Sequence, residues 1–287
     1  MNVDEDNQLT GTVIGAAIDV HRELGPGNDE AAYEEALSLR LSQLGVAHEC
    51  QKRMPVRYRG QVLDCGLRMD ALVEGRLPLE LKATEHELVV HEAQILTYMR
   101  MGPYPLGLLL NFDVAVLKHG IHRMALTKSA PAGVGEPPDT RGFDALSVAI
   151  LDAAVRVHRE LGPGLLRSVY EECLCHEFML RGVAFQRKTT VPLVFAGQRL
   201  AHSGEVPLLV AGEAPVFCLS VSGLTPRQEA TLRHRLRQGG FPFGFLLNFN
   251  APTLVRGLRR LAVEAAGITA EGGRTQRTDS AKGSHEK

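Results

Sequence analysis

The side chains whose types and spacing point most directly to chemistry lie between Asp70 and Ala83. The stretch reads Asp70-Ala71-Leu72-Val73, then Glu74-Gly75-Arg76, then Leu77-Pro78-Leu79-Glu80-Leu81-Lys82-Ala83. Glu-Gly between two apolar runs predicts a hairpin, and folding the chain there sets Asp70 level with Leu79 and Glu80. Side chains alternate along a strand, so Leu77, Leu79 and Leu81 share one face and Glu80 and Lys82 the other. Two carboxylates and an ammonium are then gathered on one side of an apolar ribbon. Burying such charges is costly unless they pair or hold a metal. Hard divalent cations such as magnesium take oxygen ligands, commonly one or two carboxylates completed by water and substrate phosphate. A lysine two residues from such a glutamate can orient or activate an attacking water, or steady charge developing on a phosphate. Glu-x-Lys alone is common on solvated strand faces; the upstream aspartate is what makes it informative.

Those residues sit inside a duplicated sequence. Val20-His21-Arg22-Glu23-Leu24-Gly25-Pro26-Gly27 recurs letter for letter 137 positions later as Val157 to Gly164. Tyr33-Glu34-Glu35 returns at Tyr170, Gly45-Val46-Ala47 at Gly182, and Leu109-Leu110-Asn111-Phe112 at Leu246, all at the same offset. A constant offset means duplication without net insertion, hence two copies of one fold. In the first copy Val13, Ala17, Val20 and Leu24 fall at helical spacing, and Gly25-Pro26-Gly27 stops that helix. A second helix starts near Asn28-Asp29, either of which can cap it, and carries Tyr33, Leu37, Leu41 and Leu44 on one face. Strands are predicted at Pro55 to Tyr58, Val62 to Val73 and Leu77 to Ala83. A helix from Glu85 to Met101 follows, then strands at Leu106 to Phe112 and Val114 to Met124. The fold class is therefore α/β (α+β), a mixed sheet flanked by helices, in two tandem copies. The expected domains are residues 8–126 and 143–264, joined by a Pro- and Gly-rich linker at 127–142. The polar stretch 265–287 is predicted to be a disordered tail.

A chain of 287 residues, 44% hydrophobic and 23% charged, has enough apolar content for two cores. A net charge of −1 argues against an indiscriminate basic coat for nucleic acid while allowing a local basic groove. The five cysteines form no C-x-x-C pair, so neither a zinc site nor a disulfide framework is indicated. The acidic Met1 to Asp6 is unlike a secretory signal, and no apolar run reaches membrane-spanning length. A cytoplasmic protein without a membrane partner is expected.

Further candidates lie on the helices. Glu30 falls in the first turn of the second helix with Tyr33 one turn on. Gln94 and Tyr98 are four apart and share a helix face, joined by His91. The order of Glu on a helix, Asp on a strand, Glu-x-Lys on the next strand and Gln-x-x-x-Tyr on a helix resembles the PD-(D/E)XK nuclease superfamily. The Gly27-x-x-Glu30-x-x-Tyr33 motif, with Val-His-Arg-Glu-Leu-Gly-Pro-Gly before it, resembles the GxxExxY family within that superfamily. The resemblance implies a restriction-endonuclease-like core and metal ligation of Mg2+ (or Mn2+) by Asp70 and Glu80. It also implies a catalytic role for Lys82 and Glu30 as an auxiliary acid. Gln94 and Tyr98 would position substrate or lysine.

The second copy keeps the packing residues and loses the polar ones. Glu30 becomes Arg167, Asp70 becomes Pro207, Glu80 becomes Phe217, Lys82 becomes Leu219, Gln94 becomes Thr231 and Tyr98 becomes Arg235. This copy cannot build the same metal site and reads as a degenerate partner domain. Tyr33, Tyr170, His21 and His158 persist in both copies and so read as packing residues. Arg233 and Arg237, four apart on one helix face of the second copy, are candidates for contact with nucleic acid. The expected function is metal-dependent phosphodiester hydrolysis on nucleic acid through the first copy, with DNA or RNA left open. The alternatives are an interaction protein in which the two copies pair within the chain, and phosphoryl chemistry on a small molecule.

Overall fold

In the computed structural model, which describes residues 3–85, 89–126, 136–264 and 267–272, each repeat runs helix, helix, three strands, helix, two strands. The first repeat forms α1 (Val3–Leu24), α2 (Glu30–Gln43), β1 (His48–Tyr58), β2 (Gln61–Val73), β3 (Leu77–Lys82), α3 (Val89–Met101), β4 (Leu106–Asn111) and β5 (Ile121–Ala125). The second forms α4 (Ala145–Leu161), α5 (Arg167–Leu180), β6 (Phe185–Phe195), β7 (Gln198–Val210), β8 (Ala214–Leu219), α6 (Pro226–Gly239), β9 (Phe243–Asn248) and β10 (Leu258–Glu264). A further strand, β11 (Gly267–Gly272), follows. The sheets have the orders β1-β2-β3-β4-β5 and β11-β10-β9-β8-β7-β6. In each, one central pair is parallel, β3 with β4 and β8 with β9, because a helix crosses between those strands; the other pairs are antiparallel.

The compact units do not follow the repeat boundary. Among the described residues, one unit takes the chain up to residue 126 together with Val157–Glu177; the other takes residues 136–156 and Phe178 onward. Most of α5 therefore belongs to the first unit although it is encoded in the second repeat.

The hairpin about Glu74-Gly75 forms as the sequence predicts. Both residues have positive φ, 49° and 62°, and Arg76 N donates to Val73 O at 3.0 Å, a two-residue turn whose twist matches the flanking strands. The ladder pairs Val73 with Leu77, Leu72 with Pro78 and Ala71 with Leu79, so it leads on to Asp70 opposite Glu80. Leu77, Leu79 and Leu81 enter a core with Val13, Ala17 and Val20 of α1 and Tyr33, Leu37 and Leu41 of α2. The opposite face receives α3: a Cβ at Gly107 would meet Ile95 and Met99. Glu80 and Lys82 are thus held between sheet and α3.

The segments kept in both copies prove to be brackets. Tyr33 Oη donates to Gly25 O at 2.6 Å and accepts from Asn28 N at 3.2 Å, its ring stacked on Phe112. Tyr170 Oη likewise donates to Gly162 O at 2.7 Å. His21 Nε2 lies 2.8 Å from Val114 O. Asn111 closes a pair of hydrogen bonds with the backbone of Thr84, and Asn248 does the same with Val221. Removing the Tyr33 hydroxyl should cost about 1–2 kcal/mol, since it leaves the Gly25 and Asn28 backbone groups short of a partner. A Tyr33→Phe variant should show that loss in a urea melt and bind metal as wild type does.

Three sequence expectations need correction. Strand β1 begins at His48, seven residues before Pro55; its alternation is interrupted at Gln51, whose φ is 53°. The segment predicted as a strand from Val114 carries a 3-10 turn at Leu117–Gly120 before β5. Gly120 allows it, because a side chain there would collide with the Asn111 carbonyl. Part of the expected tail is ordered: Gly267–Gly272 pairs antiparallel with Leu258–Glu264. Its Ile-Thr-Ala-Glu sequence between two glycines is a short strand signal that the overall polarity of the segment conceals. Residues 265–266 and 273–287, residues 127–135 of the linker, and 86–88 at the start of the expected third helix lie outside the described residues.

Candidate active site

Six residues singled out in the sequence line one cavity of about 320 Å³: Glu30, Asp70, Glu80, Lys82, Gln94 and Tyr98. They arrive from four elements. Asp29 caps α2 by accepting from Ala32 N at 2.9 Å, which sets Glu30 at the helix start, beside β3. Asp70 lies on the buried half of β2, two residues past the last exposed position, Arg68, and Glu80 and Lys82 follow across the hairpin. Gln94 and Tyr98 come from α3.

Lys82 is the centre of charge. Its ammonium lies 2.7 Å from Glu80 Oε1, 3.0 Å from Glu30 Oε1 and 3.8 Å from Asp70 Oδ2. It also donates to Leu81 O. Asp70 Oδ2 accepts the Leu81 amide at 2.7 Å. Glu80 is 0% exposed. Burial pushes its carboxyl up to about 8, aided by the neighbouring Asp70 charge and opposed by Lys82. Burial also raises Asp70, against the Leu81 hydrogen bond and the lysine. Lys82 goes up despite burial, because its hydrogen bond and charge contact with Glu80, then Glu30 and Asp70, favour the ammonium.

Three carboxyl groups gather around one ammonium, Asp70 and Glu80 buried and Glu30 half-exposed. Glu80 Oε2 is shielded from solvent and meets no hydrogen-bond donor among the described residues. Such an atom fits a bound cation, and the donor set, two carboxylates at adjoining strand positions, is the hard-oxygen kind that magnesium and manganese take. Among the described residues no group of three or more His, Cys, Asp or Glu forms a ready metal cage. A divalent ion here would be held by Asp70 and Glu80.

Gln94 Nε2 donates to Tyr98 Oη at 2.7 Å, and Tyr98 Oη donates to Arg68 O at 2.7 Å. Burial holds the phenol far above its ordinary range, so it stays protonated and can keep this bond. In the second copy the Arg235 guanidinium stands at the Tyr98 position and donates to Glu205 O, the counterpart of Arg68 O, at 3.1 Å. Tying this helix to this strand is thus a requirement of the fold, met by two different side chains. Tyr98 reaches the site as a tether whose ring walls the cavity. His91, from the same helix, is held below its ordinary value by burial and by Lys82, and is not among the cavity's lining residues.

In the second unit the equivalent place is apolar: Phe217 and Leu219 pack on Leu232, Leu236, Leu246 and Leu261. Arg233 on α6 is half-buried and Arg237 exposed, and neither lines the carboxylate cavity. Sequence reasoning missed Leu166 and Ser168, which line the cavity of the first unit from the second repeat, and Gly66, Leu67 and Arg68 on β2. No local signal ties 166 and 168 to the site. The alternation of β2, which puts Arg68 on the face of Asp70, could have found the arginine.

Each repeat folds as a mixed sheet flanked by helices, a restriction-endonuclease-like α/β domain present twice, and the first copy alone adds an acidic residue on one strand and Glu-x-Lys on the next. The family model for the PD-(D/E)XK nuclease superfamily matches residues 7–124 and again 144–261, and the chain belongs to that superfamily. No curated protein and no solved structure gives a match. Among the described residues no helix is long and apolar enough to cross a membrane.

Proposed function

We propose that the first unit hydrolyses phosphodiester bonds in nucleic acid with Mg2+ or Mn2+, as a member of the GxxExxY branch. The observation that carries this reading is the convergence of Glu30, Asp70 and Glu80 on Lys82 in one cavity, with Glu80 Oε2 lacking a donor. Asp70 and Glu80 would hold the ion, which when bound supplies charge neutralisation at the phosphate and a more acidic water. Lys82 orients the attacking water and offsets negative charge as water adds to phosphorus and the leaving oxygen departs. Glu30 fixes the lysine from the opposite side, and Gln94 with Tyr98 holds the α3 wall in place. Five free cysteines, four of them buried, accord with a reducing, cytoplasmic setting.

Calorimetric titration with manganese tests the metal assignment. Wild type should bind, and Asp70→Asn and Glu80→Gln should each abolish detectable binding while far-UV circular dichroism stays that of the folded protein. Affinity unchanged in Glu80→Gln would remove Glu80 from the site. Metal binding without cleavage of any DNA or RNA would favour the interaction protein.

A further inference from the structure

We propose that Arg53 and Arg68 form a phosphate-binding subsite that holds the nucleic-acid strand next to the carboxylate cavity; this rests on the nuclease reading above. The two arginines are direct cross-strand partners on β1 and β2. Like charges placed opposite each other on a sheet destabilise it, so such a pair calls for a ligand of the other sign. Both side chains are exposed, and among the described residues neither is in an ion pair.

Their location connects them to the site. A second cavity, of about 410 Å³, is lined by Arg53, Asp64, Gly66, Leu67 and Arg68, and it shares Gly66, Leu67 and Arg68 with the carboxylate cavity. The two spaces adjoin along this stretch of β2. Between Met54 and Val56 the β1–β2 register shifts, and Gly66 on the bulged strand has a φ of 67° with its amide donated to Asp64. Bulges of this kind re-aim a strand beside a site. Arg68 precedes Asp70 by two residues, a step of about 7 Å along the strand. Its guanidinium therefore addresses a phosphate neighbouring the one that reacts at Lys82. Planar guanidinium groups give two parallel hydrogen bonds to phosphate oxygens, which suits this task.

The second copy supplies the internal comparison. The same rung of the ladder there is Thr190 opposite Glu205. The arginines are absent where Asp70, Glu80 and Lys82 have become Pro207, Phe217 and Leu219, while the hairpin and its register shift persist. The basic pair thus goes with the chemistry and not with the fold.

The test uses the full chain and fluorescence anisotropy with labelled single-stranded and duplex DNA and RNA, in EDTA to prevent cutting. Arg53→Ala/Arg68→Ala should weaken binding at least tenfold at low salt, equally for all sequences. The slope of log K against log salt should fall by roughly 1.4 for single strands to 1.8 for duplex, the value for two lost phosphate contacts. Arg53→Lys/Arg68→Lys should recover most of that slope, and Arg22→Ala, which removes an exposed cation elsewhere, should leave it unchanged. Manganese titration of the double variant should match wild type. Wild-type affinity and slope in the double variant, alongside normal manganese binding, would overturn the subsite and leave the nuclease reading standing. An equal loss in Arg22→Ala would overturn it as general charge attraction. If the alanine variant and Arg53→Gln/Arg68→Gln both fail to titrate manganese, the arginines are structural and the proposal falls. Failure of wild type to bind any of the nucleic acids would overturn both readings.

Discussion

Replacing Lys82 with alanine is expected to lower phosphodiester cleavage by about 10²–10³-fold, the loss typical of removing one group that stabilises developing charge. Manganese affinity should hold or tighten in the same variant, because the ammonium that is removed competes with a cation for Asp70 and Glu80. Stability should respond in two directions. Without metal, the substitution leaves Glu80, 0% exposed, and Asp70 without the ammonium that both contact. Losing the contacts of a partly buried ammonium should cost about 1–3 kcal/mol, since burial already favours the neutral Glu80 carboxyl. A ligand that binds only the native state restores stability in proportion to its occupancy. The manganese-induced rise in melting temperature should therefore be larger in Lys82→Ala than in wild type. Single-turnover cleavage and thermal melts with and without manganese measure both effects. An unchanged cleavage rate would take Lys82 out of the chemistry. A smaller metal-induced rise would mean that the lysine supports metal binding instead of opposing it.

Much of this site was legible because its signals are local or repeated. Glu74-Gly75 announces its turn by residue type, and the turn fixes which strand positions meet, so Asp70 and Glu80 converge from sequence alone. The offset of 137 residues separates packing from chemistry within the sequence itself. Tyr33 and Asn111, kept with their counterparts Tyr170 and Asn248, are brackets. Glu80 and Lys82, replaced by Phe217 and Leu219, line a cavity in one unit and belong to an apolar cluster in the other. Tyr98 shows the limit of that reasoning. It is lost in the second copy, yet its tether to the Arg68 carbonyl is preserved there by Arg235, so identity changed while the physical task did not. Signals also failed where a strand departs from plain alternation, as at Gln51 in β1, or where a short strand lies in a polar segment, as in β11. Nothing in the sequence near Asp70 could point to Leu166 and Ser168, because they are brought in by tertiary packing from the following repeat.

That packing sets the second large expected effect. Residues 1–142, expressed without the second repeat, should be less stable than the first unit within the whole chain by about 6–8 kcal/mol. The first unit includes Val157–Glu177, and specific bonds fasten that segment. Leu166 N donates to Thr97 Oγ1 at 2.9 Å, and Arg100 donates to the carbonyls of Pro163 and Leu161. The fully buried Glu177 accepts from Tyr58 Oη and from Arg59, each at 3.0 Å. Without the segment the Tyr58 ring, 1% exposed, meets water, at about 1.5–3 kcal/mol for a side chain of this kind. Each lost hydrogen bond adds on the order of 1 kcal/mol. The truncated protein should therefore melt at least 10 °C lower, since 1 kcal/mol moves a domain of this size by about 2–4 °C. Its site should lose the wall made by Leu166 and Ser168, and cleavage should fall with it. Point substitutions separate this cause from a general effect of shortening. In the full chain Tyr58→Phe and Arg59→Ala should each destabilise, by roughly 1–3 kcal/mol. In residues 1–142 the same changes should cost almost nothing, because their partner Glu177 is gone; the difference between the two backgrounds is the coupling energy. Urea melts of the six proteins decide it. Equal stability of the two wild-type backgrounds, or equal costs of the substitutions in both, would show that the first repeat completes its own fold and that α5 adds nothing to it.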